Sequence, residues 1–386
     1  MSASHGADPL YLDANATEPL RPEARAALIG ALDLLGNPAS IHAEGRNARR
    51  CLEAARTTVA DRFGARPQDV VFCSGATEAN AMAIHAFGAT RPIVIGATEH
   101  DAVRAAAPVA TIMPVDTAGL ADLAWLEAEL AARPGALVCV MAANNETGVL
   151  SPLAQIAAIC AGHGALLHVD AVQAAGRILI DYLALGATSV AISAHKLGGP
   201  KGVGALILAP AAAAGLPALI AGGGQEQGRR GGTPALPAIA GFAAAITAAD
   251  PAEGSRQTRL RDAIEAGVRD YGAVVIGAGA PRLPNTTCLA LPGLSAETQV
   301  IALDLERISV SAGSACSSGK VARSHVLTAM GLHDLAGCAI RVSLPWNAPD
   351  DAPARFLLAY RALAARALRK RSGFSNSRAA YIPSLV

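Results

Sequence analysis

The sequence predicts an α/β fold, with a large domain built on a mainly parallel sheet covered by helices and a smaller α+β domain after it. Three observations support this prediction. Short apolar runs recur through the first part of the chain, helical patterns separate several of them, and a polar stretch near residue 250 ends the alternation. The 386 residues are also enough to build one large and one small hydrophobic core.

The apolar runs of the first part have the length of buried strands and are rich in valine, isoleucine and leucine. They lie at 70–73, 93–95, 136–141, 165–169, 190–193 and 203–209. Helical patterns lie between several of these runs, at 78–87, 120–132 and 153–162. Because strands that alternate with helices pair in parallel, we expect helices on both faces of this sheet.

The pattern changes after the stretch DPAEGSRQ at 250–257. Helices are predicted at 256–271 and 296–306, short strands at 273–276, 287–291 and 340–344, and a long helix rich in alanine and arginine after them. We therefore predict a large domain at 15–252 and a small domain formed by 1–14 and 253–386. The last residues, from 371 onward, show no clear periodicity.

Composition narrows the classes of function. The net charge of +1 provides neither a basic field for nucleic acid nor an acidic one. Although 52% of the residues are hydrophobic, alanine supplies much of this fraction, and no apolar run is long enough to span a membrane. The first ten residues lack the basic start and the apolar centre of a signal peptide, so we expect a cytoplasmic protein.

The seven cysteines are odd in number, widely spaced and without a CxxC pair. Disulfides and a zinc cluster are therefore not expected. A cysteine within an apolar segment is predicted to be a buried small hydrophobic residue. Cys316 differs, because it lies in the glycine- and serine-rich stretch SAGSACSSG at 311–319, which gives its thiol no apolar surroundings.

Polar residues of an unusual kind follow the predicted strands. The carboxyl ends of parallel strands meet at one edge of a sheet, where such folds bind ligands. Each of these residues alone fits a helix cap, a turn or a solvated loop, but together they are expected to form one pocket. They are Thr77, His100, Asn145, Asp170, His195 and Lys196.

The residue types in this pocket match the needs of pyridoxal phosphate (PLP). That cofactor requires a lysine for a Schiff base, an acidic partner for its pyridinium nitrogen and a site for its phosphate. Lys196 offers the amine and Asp170 the carboxylate. The turn from strand to helix at 74–77 presents backbone N–H groups to an anion, and Ser193 and His195 are expected to add phosphate contacts.

A second lysine competes for the same role. Lys201 lies in the stretch LGGPKGVG, and spacing alone does not separate it from Lys196. We prefer Lys196 because it follows His195 directly at the end of a predicted strand. The stretch is not a P-loop, because the order GxxxxGK[ST] is missing.

Motifs along nearly the whole chain, apart from its C-terminal tail, resemble those of the cysteine desulfurases, a family of class V, fold-type I PLP-dependent enzymes. The lysine motif is shared with other class V enzymes, whereas SAGSACSSG discriminates this family from them. The matching stretches, in order, are YLDANAT (11–17), GNPASIH (36–42), FCSGATEAN (72–80), TEHDAV (98–103), NNETGVL (144–150), HVDAVQAAG (168–176), SAHKLGGPKGVGAL (193–206), GGGQEQGRRGGT (222–233), SAGSACSSG (311–319) and IRVSL (340–344).

The resemblance implies a role for each matching residue around the cofactor. Lys196 would form the Schiff base and move the proton of the substrate Cα. Asp170 would pair with the pyridinium nitrogen, and Gln173 would hydrogen-bond the phenolic oxygen of the ring. His100 would stack on the ring face and transfer protons. The phosphate contacts would come from Ala76, Thr77, Ser193, His195 and, in a homodimer with shared sites, Thr233 of the partner subunit.

For the reaction, the resemblance implies that L-cysteine is the substrate and L-alanine the product. Asn145, which the resemblance also places among the cofactor-binding residues, would bind the substrate carboxylate together with Arg341. Arg341 would do so through its bidentate fork. Cys316, in a mobile loop at about 312–324, would take up the sulfur as a persulfide. It would then pass the sulfur to an acceptor protein, such as a scaffold for iron–sulfur clusters.

Other functions remain open from the sequence. A class V aminotransferase or a selenocysteine lyase would use Lys196 but would not need the thiol of Cys316. A protein kept only as an assembly partner would have a broken site, whereas every catalytic residue type of the family is present here. Replacing Cys316 separates the first two alternatives from desulfuration.

Three positions depart from the family pattern. Gly199 stands where many relatives carry a larger residue, which predicts a more open pocket edge. Gly231 stands where serine is common, and Glu18 where threonine is frequent. None of the three is expected to touch the core chemistry.

Overall fold

The computed structural model describes residues 8–179, 181–250, 252–313 and 323–378, with side-chain surroundings up to residue 365. Within these ranges the strands form three sheets, of two, four and seven strands. In chain order the strands are β1 Leu10–Tyr11, β2 Val70–Cys73, β3 Ile93–Gly96, β4 Thr111–Met113, β5 Leu137–Met141, β6 Leu166–Asp170, β7 Ser189–Ser193, β8 Gly204–Leu208, β9 Val274–Ile276, β10 Thr286–Ala290, β11 Ile308–Ser309, β12 Ser311–Ala312 and β13 Ala339–Ser343.

Helices fill most of the intervals between the strands. In chain order they are α1 Pro22–Leu32, α2 Ala43–Arg62, α3 Ala76–Gly88, α4 Asp101–Ala106, α5 Leu123–Ala132, α6 Leu153–Gly162, α7 Pro210–Ala213, α8 Leu236–Ala248, α9 Glu253–Arg269, α10 Ala296–Leu305, α11 His325–Ala329 and α12 Ala352–Arg378. Shorter 3₁₀ turns lie at Pro67–Asp69, Ala194–Lys196 and Gln225–Gly228. In the part of the chain that is described, no helix combines the length and the apolar character needed to cross a membrane.

The seven-stranded sheet has the order β2-β8-β7-β6-β5-β3-β4. Its neighbouring strands are parallel except where β8 is involved, since β8 runs antiparallel to both β2 and β7. A parallel return needs a crossover of about a dozen residues or more, whereas only a 3₁₀ turn and a glycine-rich loop join β7 to β8. The prediction of an α/β fold with a mainly parallel sheet is confirmed.

Helices cover both faces of this sheet, as the alternation predicted. On β2, Val70 and Phe72 belong to an apolar cluster that includes residues of α2, α5, α6 and α8. Their neighbours Val71 and Cys73 point the other way and pack with α3. Because both faces are buried, the strands are continuous apolar runs, and their carboxyl ends are where polar residues can gather.

The four-stranded sheet is antiparallel and has the order β12-β13-β10-β9. The N-terminal strand β1 pairs in parallel with β11, and Leu10 and Leu12 share an apolar cluster with residues from 260 to 364. This contact agrees with the assignment of 1–14 to the small domain, although the domain bounds remain a prediction. The last helix continues to Arg378, into the tail in which the sequence showed no periodicity.

Candidate active site

A cavity of about 590 Å³ lies at the carboxyl ends of the parallel strands. The start of α3, the loops after β3 and β5, the end of β6 and the 3₁₀ turn after β7 border it. Cofactor and ligand sites have volumes of roughly 300–1,000 Å³, so the cavity is large enough for one. The predicted site residues that line it are Ala76, Thr77, His100, Asn145, Asp170, Gln173, Ser193, His195 and Lys196.

Lys196 ends the 3₁₀ turn that follows β7. Its Nζ donates to the main-chain carbonyl of Asn15 at 2.6 Å and to that of Ala16 at 3.0 Å. The N-terminal segment after β1 therefore forms the wall against which this amine is held. Lys201 also borders the cavity, but it is exposed on the loop before β8.

His195, next to this lysine, is neutral at physiological pH. Burial lowers its pKa to about 4, and the positive charges of Lys196 and Lys201 act in the same direction. Its Nδ1 lies 3.3 Å from Oγ1 of Thr17. A neutral imidazole in this place suits a hydrogen bond to a bound anion rather than an ion pair with it.

Asp170 ends β6 and is buried beside the cavity. Its Oδ2 accepts a hydrogen bond from Asn80 Nδ2 at 2.8 Å, and its Oδ1 accepts from the main-chain N–H of Val172 at 3.0 Å. Burial raises the pKa of this carboxyl, while these two hydrogen bonds and the charges of His100 and Lys196 oppose the rise. A cationic ring nitrogen at this position would favour the ionised carboxylate.

A chain of buried polar side chains continues behind Asp170. Asn80 Oδ1 lies 2.9 Å from Nε2 of His168, and Nδ1 of His168 lies 2.8 Å from Oγ of Ser189. Since the amide N–H of Asn80 is used on Asp170, its oxygen accepts and His168 donates from Nε2. Burial lowers the pKa of His168 to about 4, which agrees with a neutral ring.

Neither Asn80 nor His168 was predicted as a site residue. Asn80 and His168 lie inside two of the quoted motifs, FCSGATEAN and HVDAVQAAG, so the signal was present. His168 is two residues before Asp170 on β6, but Asn80, on α3, is 90 residues from Asp170, so the sequence does not show that Asn80 lies between them.

The N-terminus of α3 faces the cavity without a capping side chain. Gly75 precedes the helix with a φ of +147°, a region that glycine favours. The first N–H groups of a helix have no intrahelical partner and attract anions. With Thr77 and Ser193 beside it, this 13-residue helix offers a site for a phosphate group.

Gln173 is fixed by contacts at both ends of its amide. Its Nε2 donates to the carbonyl of Asn15 at 3.0 Å, and its Oε1 accepts from Arg177 Nη1 at 2.8 Å. Arg177 also donates to Glu18 Oε1 at 3.1 Å, in an ion pair whose two side chains are each 4% exposed. Glu18, one of the departures from the family pattern, therefore reaches a cavity residue through Arg177, which the sequence analysis did not anticipate.

Asn145 joins the cavity to the antiparallel sheet. Its main-chain carbonyl accepts from Asn15 Nδ2 and from Arg341 Nη1, each at 3.1 Å. Arg341 lies on β13 and does not border the cavity; its Nη2 donates to Asp13 Oδ1 at 2.7 Å. Its Nε is buried and finds no hydrogen-bond partner in the described part of the chain. Binding of a substrate carboxylate by Arg341 therefore requires competition with Asp13 or use of the Nε edge.

Known proteins share this sequence and architecture. The model of the aminotransferase class-V family matches residues 10–351. A cysteine desulfurase of Cereibacter sphaeroides is 40% identical over 354 residues, which cover 87% of this chain and 90% of the relative. The chain belongs to the cysteine desulfurases of the aminotransferase class-V family.

Solved structures agree with this assignment. A NifS-like protein from Rickettsia africae superposes with a TM-score of 0.85 at 34% identity, over 92% of this chain and 98% of that one. A structure described as SspA in complex with cysteine superposes with a TM-score of 0.77 at 30% identity, over 87% of this chain and 99% of that one. The fold-type I architecture and the assignment to a family of PLP-dependent enzymes are thus confirmed.

Besides Arg341, two residues that the cysteine desulfurase motifs predicted for the site lie elsewhere or are not described. Thr233 lines a neighbouring cavity of about 210 Å³, which shares Ser74 and Gly202 with the first. Cys316 and the rest of 314–322 lie outside the described residues, so the role of this thiol and the loop around it stay predictions.

The glycines that depart from the family pattern pack against neighbouring residues. A Cβ on Gly199 would lie 2.9 Å from Ala194 Cβ, and a Cβ on Gly231 would lie 2.5 Å from Gly222 Cα. Both contacts are too close for a side chain. Gly199 does not border the cavity, so the prediction that it opens the pocket edge is wrong.

Proposed function

We propose that this protein converts L-cysteine to L-alanine with PLP and transfers the substrate sulfur to Cys316 as a persulfide. One observation carries the proposal: Lys196, Asp170 and the uncapped start of α3 converge on one cavity. An amine, a buried acid and an anion site are the three groups that PLP needs from a protein. The donor set of the cavity therefore fits the cofactor.

The proposed arrangement assigns each part of the cofactor to a residue. When bound, PLP withdraws electrons from the Cα–H bond of an amino acid. Lys196 would hold the aldehyde carbon, Asp170 the ring nitrogen and Gln173 the phenolic oxygen. The phosphate would be held by Ala76, Thr77, Ser193 and His195.

The side chains of the cavity then act on the substrate. Lys196 would remove the proton from the substrate Cα, because two carbonyls keep its Nζ oriented at the cavity wall. His100 borders the same cavity and would carry protons to and from the substrate. Asn145 and Arg341 would bind the substrate carboxylate, with Arg341 exchanging Asp13 for it.

Transfer of sulfur would be the task of Cys316. Its thiolate would attack the substrate sulfur, so that an S–S bond forms while the substrate C–S bond breaks. The electron pair of the broken bond stays with the substrate carbon, which takes up a proton and leaves as alanine. Because the carbon keeps this electron pair, the carbon is reduced while the two sulfurs of the new S–S bond are oxidised, so no external oxidant is required.

We also propose a homodimer with shared sites. Large apolar side chains are exposed at the end of α1 and after it, where Leu32, Leu35 and Ile41 are 63%, 78% and 88% exposed. A second copy would remove this cluster from water, since monomeric proteins rarely leave such patches open. Thr233 of the partner subunit would then complete the phosphate site.

The proposed setting is the cytoplasm, with a sulfur-acceptor protein as the partner. The six cysteines of the described residues are all free thiols, which suits a reducing compartment. An iron–sulfur scaffold is the acceptor we favour, because the motif SAGSACSSG resembles that of the desulfurases that supply such scaffolds.

Mass spectrometry after incubation with L-cysteine tests this function. We expect a persulfide on Cys316 and release of alanine. The Cys316→Ala variant should keep the absorbance of bound PLP and lose sulfide release. Unchanged turnover of that variant would support an aminotransferase or a selenocysteine lyase instead.

A further inference from the structure

Glu146 is a buried carboxylate that the proposed reaction does not use. It follows Asn145, which lines the cavity, and is 1% exposed. Its main-chain N–H donates to Asn144 Oδ1 at 3.0 Å, and the same oxygen accepts from the N–H and the hydroxyl of Thr147. Asn144 Nδ2 in turn donates to the carbonyl of Thr98. The backbone that carries Glu146 is therefore fixed to the rim of the cavity.

Residues 314–323 contain Cys316 and are called the Cys316 stretch below; Gly313 and Ser324, on either side of it, meet at this carboxylate. Ser324 Oγ donates to Glu146 Oε2 at 2.5 Å. On the other side, a Cβ on Gly313 would lie 2.3 Å from the same oxygen and 3.0 Å from Ser324 Cβ. Gly313 and Ser324 thus touch each other and Oε2 of Glu146, so the two residues that bracket 314–323 lie at the same carboxylate.

Burial of an ionised carboxylate is unfavourable unless hydrogen bonds or opposite charges stabilise it. Burial raises the pKa of Glu146, while the hydrogen bond from Ser324 and the positive charge of Arg341 oppose the rise. A residue larger than glycine at 313 would collide with the carboxylate of Glu146. The three residues therefore form one matched unit, which we call the Glu146 anchor: Glu146, Gly313 and Ser324.

Because the chain has a fixed maximum length per residue, the Glu146 anchor limits the distance from Gly313 to Cys316. Cys316 is three residues from Gly313, so its Cα can lie at most about 11 Å from the Gly313 Cα. The route back to Ser324 is longer and imposes a weaker limit. The position of Gly313 beside Glu146 therefore limits the distance between the thiol of Cys316 and the cavity that Asn145 lines.

We propose that Glu146 is a positioning residue that fixes both ends of the Cys316 stretch beside the active-site cavity and so controls sulfur transfer to Cys316. This inference rests on the proposed function, because it assigns the nucleophile to Cys316. Glu146 acts through Gly313 and Ser324 and not on the cofactor. Loss of the anchor should therefore slow the transfer of sulfur and leave the earlier chemistry intact.

Two readouts in the holoenzyme separate these steps. Binding of L-cysteine to the cofactor is followed by the change in PLP absorbance, and sulfur transfer is followed by trapping the persulfide in a single turnover. We expect Glu146→Ala to keep the absorbance change and to slow persulfide formation about tenfold, the effect of losing one charge-assisted hydrogen bond. Glu146→Gln retains an acceptor for Ser324 and should slow it less.

The controls distinguish this inference from the proposed function. Glu306→Ala removes an exposed glutamate and should change neither readout. Ser324→Ala, with Glu146 intact, should again slow only persulfide formation, which covers the case in which Glu146→Ala fails to fold. If the wild type formed no persulfide on Cys316, the proposed function would be wrong. Normal transfer in Glu146→Ala and Ser324→Ala would overturn the positioning role alone.

A measurement without turnover gives a second test. Trypsin can cleave after Lys320 and Arg323, which both lie within the Cys316 stretch. If the anchor holds the two ends together, Glu146→Ala should raise the cleavage rate at these two positions, identified by mass spectrometry, relative to Glu306→Ala. Equal cleavage in the two variants would contradict the anchor.

Discussion

At the scale of single residues, Asp170 shows how a charge is prepared inside the protein. Its carboxylate receives hydrogen bonds from Asn80 and from the N–H of Val172, and His168 and Ser189 continue the chain behind Asn80. Without such donors, burial would raise the pKa of the carboxyl further and weaken its pairing with a cationic ring. The supporting side chains are thus part of the proposed cofactor site.

Replacing Asn80 should weaken the hold on the cofactor. In Asn80→Ala the Oδ2 of Asp170 loses a donor, and a hydrogen bond to a charged group contributes about 1.5–3 kcal/mol. We expect PLP affinity, measured by titrating the apoprotein and following absorbance, to fall about tenfold or more. Ser189→Ala, at the far end of the chain, should change the affinity much less. Equal affinities for wild type and Asn80→Ala would show that the network does not support Asp170.

His168 should contribute to the dependence of the free energy of unfolding on pH. Its pKa is about 4 in the folded protein against a usual value near 6.5. Between these values the unfolded chain binds a proton that the folded chain does not, so this group makes stability rise with pH up to about 6.5 and adds nothing further above it. The gain from pH 5 to pH 7 is at most about 2 kcal/mol.

The variant His168→Gln isolates this contribution. Glutamine keeps a polar side chain but does not titrate, and the buried carboxylates act alike in both proteins, so they cancel in the comparison. We expect the increase in melting temperature from pH 5 to pH 7 to be smaller in the variant. An identical pH dependence would mean that the pKa of His168 is the same in the folded and the unfolded state.

The cavity residues could be predicted from sequence because each one follows a strand. The carboxyl ends of parallel strands lie at one edge of the sheet. The proximity of Thr77, Asp170 and Lys196 could therefore be predicted although they are far apart in sequence. The buried polar residues that support the cavity residues could not be predicted in this way. Asn80 and Glu146 are buried polar residues within motifs, and only the folded chain reveals which partners they meet.

At the scale of elements, the start of α3 is the feature that most depends on backbone conformation. Gly75 has a φ of +147°, which a residue with a side chain adopts only with strain of about 1–3 kcal/mol. An added Cβ would be 3.8 Å from Ser193 Oγ, an ordinary contact, so the cost is in the backbone. The N–H groups at this helix start are therefore directed by a glycine rather than by packing.

Gly75→Ala should lower both stability and affinity for the phosphate of PLP. We expect a lower melting temperature and a weaker response to inorganic phosphate, measured by thermal shift. Gly30→Ala is the matched control, because Gly30 lies within α1 and a Cβ there meets no atom within 4 Å. Alanine in a helix should raise stability by up to about 1 kcal/mol. Similar effects of both variants would argue against a strained helix start.

Six of the seven strands of the large sheet could be predicted closely, but β4 and the direction of β8 could not. Both faces of these strands are buried, so apolar runs marked the six predicted strands to within one residue at each end. Helix α2 was not predicted, although its buried residues Ala48, Leu52, Ala55 and Val59 recur at helical spacing. The direction of β8 depends on a short connection, which the alternation of strands and helices does not reveal.

At the scale of the whole molecule, the proposed homodimer would cover the exposed apolar side chains near the end of α1. Leu32, Leu35 and Ile41 lie in one short part of the chain, far in sequence from Leu358, an exposed leucine on α12. Thr233 lies near the main cavity but not in it, which suits a residue that serves a neighbouring copy. The domain bounds at 15–252 and 253–386 remain a proposal at the same scale.

Leu35→Asp should break the dimer, because a charge would replace an apolar group at the proposed contact. Light scattering after gel filtration should give the mass of a dimer for the wild type and that of a monomer for the variant. Leu358→Asp places the same charge on an equally exposed leucine and should leave the mass unchanged. A wild-type monomer, or a dimer insensitive to Leu35→Asp, would contradict the assignment of this surface.

The account depends most on Lys196, the amine held against the cavity wall by Asn15 and Ala16. Borohydride reduction of the purified holoenzyme followed by peptide mass spectrometry tests it directly. The account predicts a reduced PLP adduct on Lys196. An adduct on Lys201, or no adduct on either lysine, would contradict it.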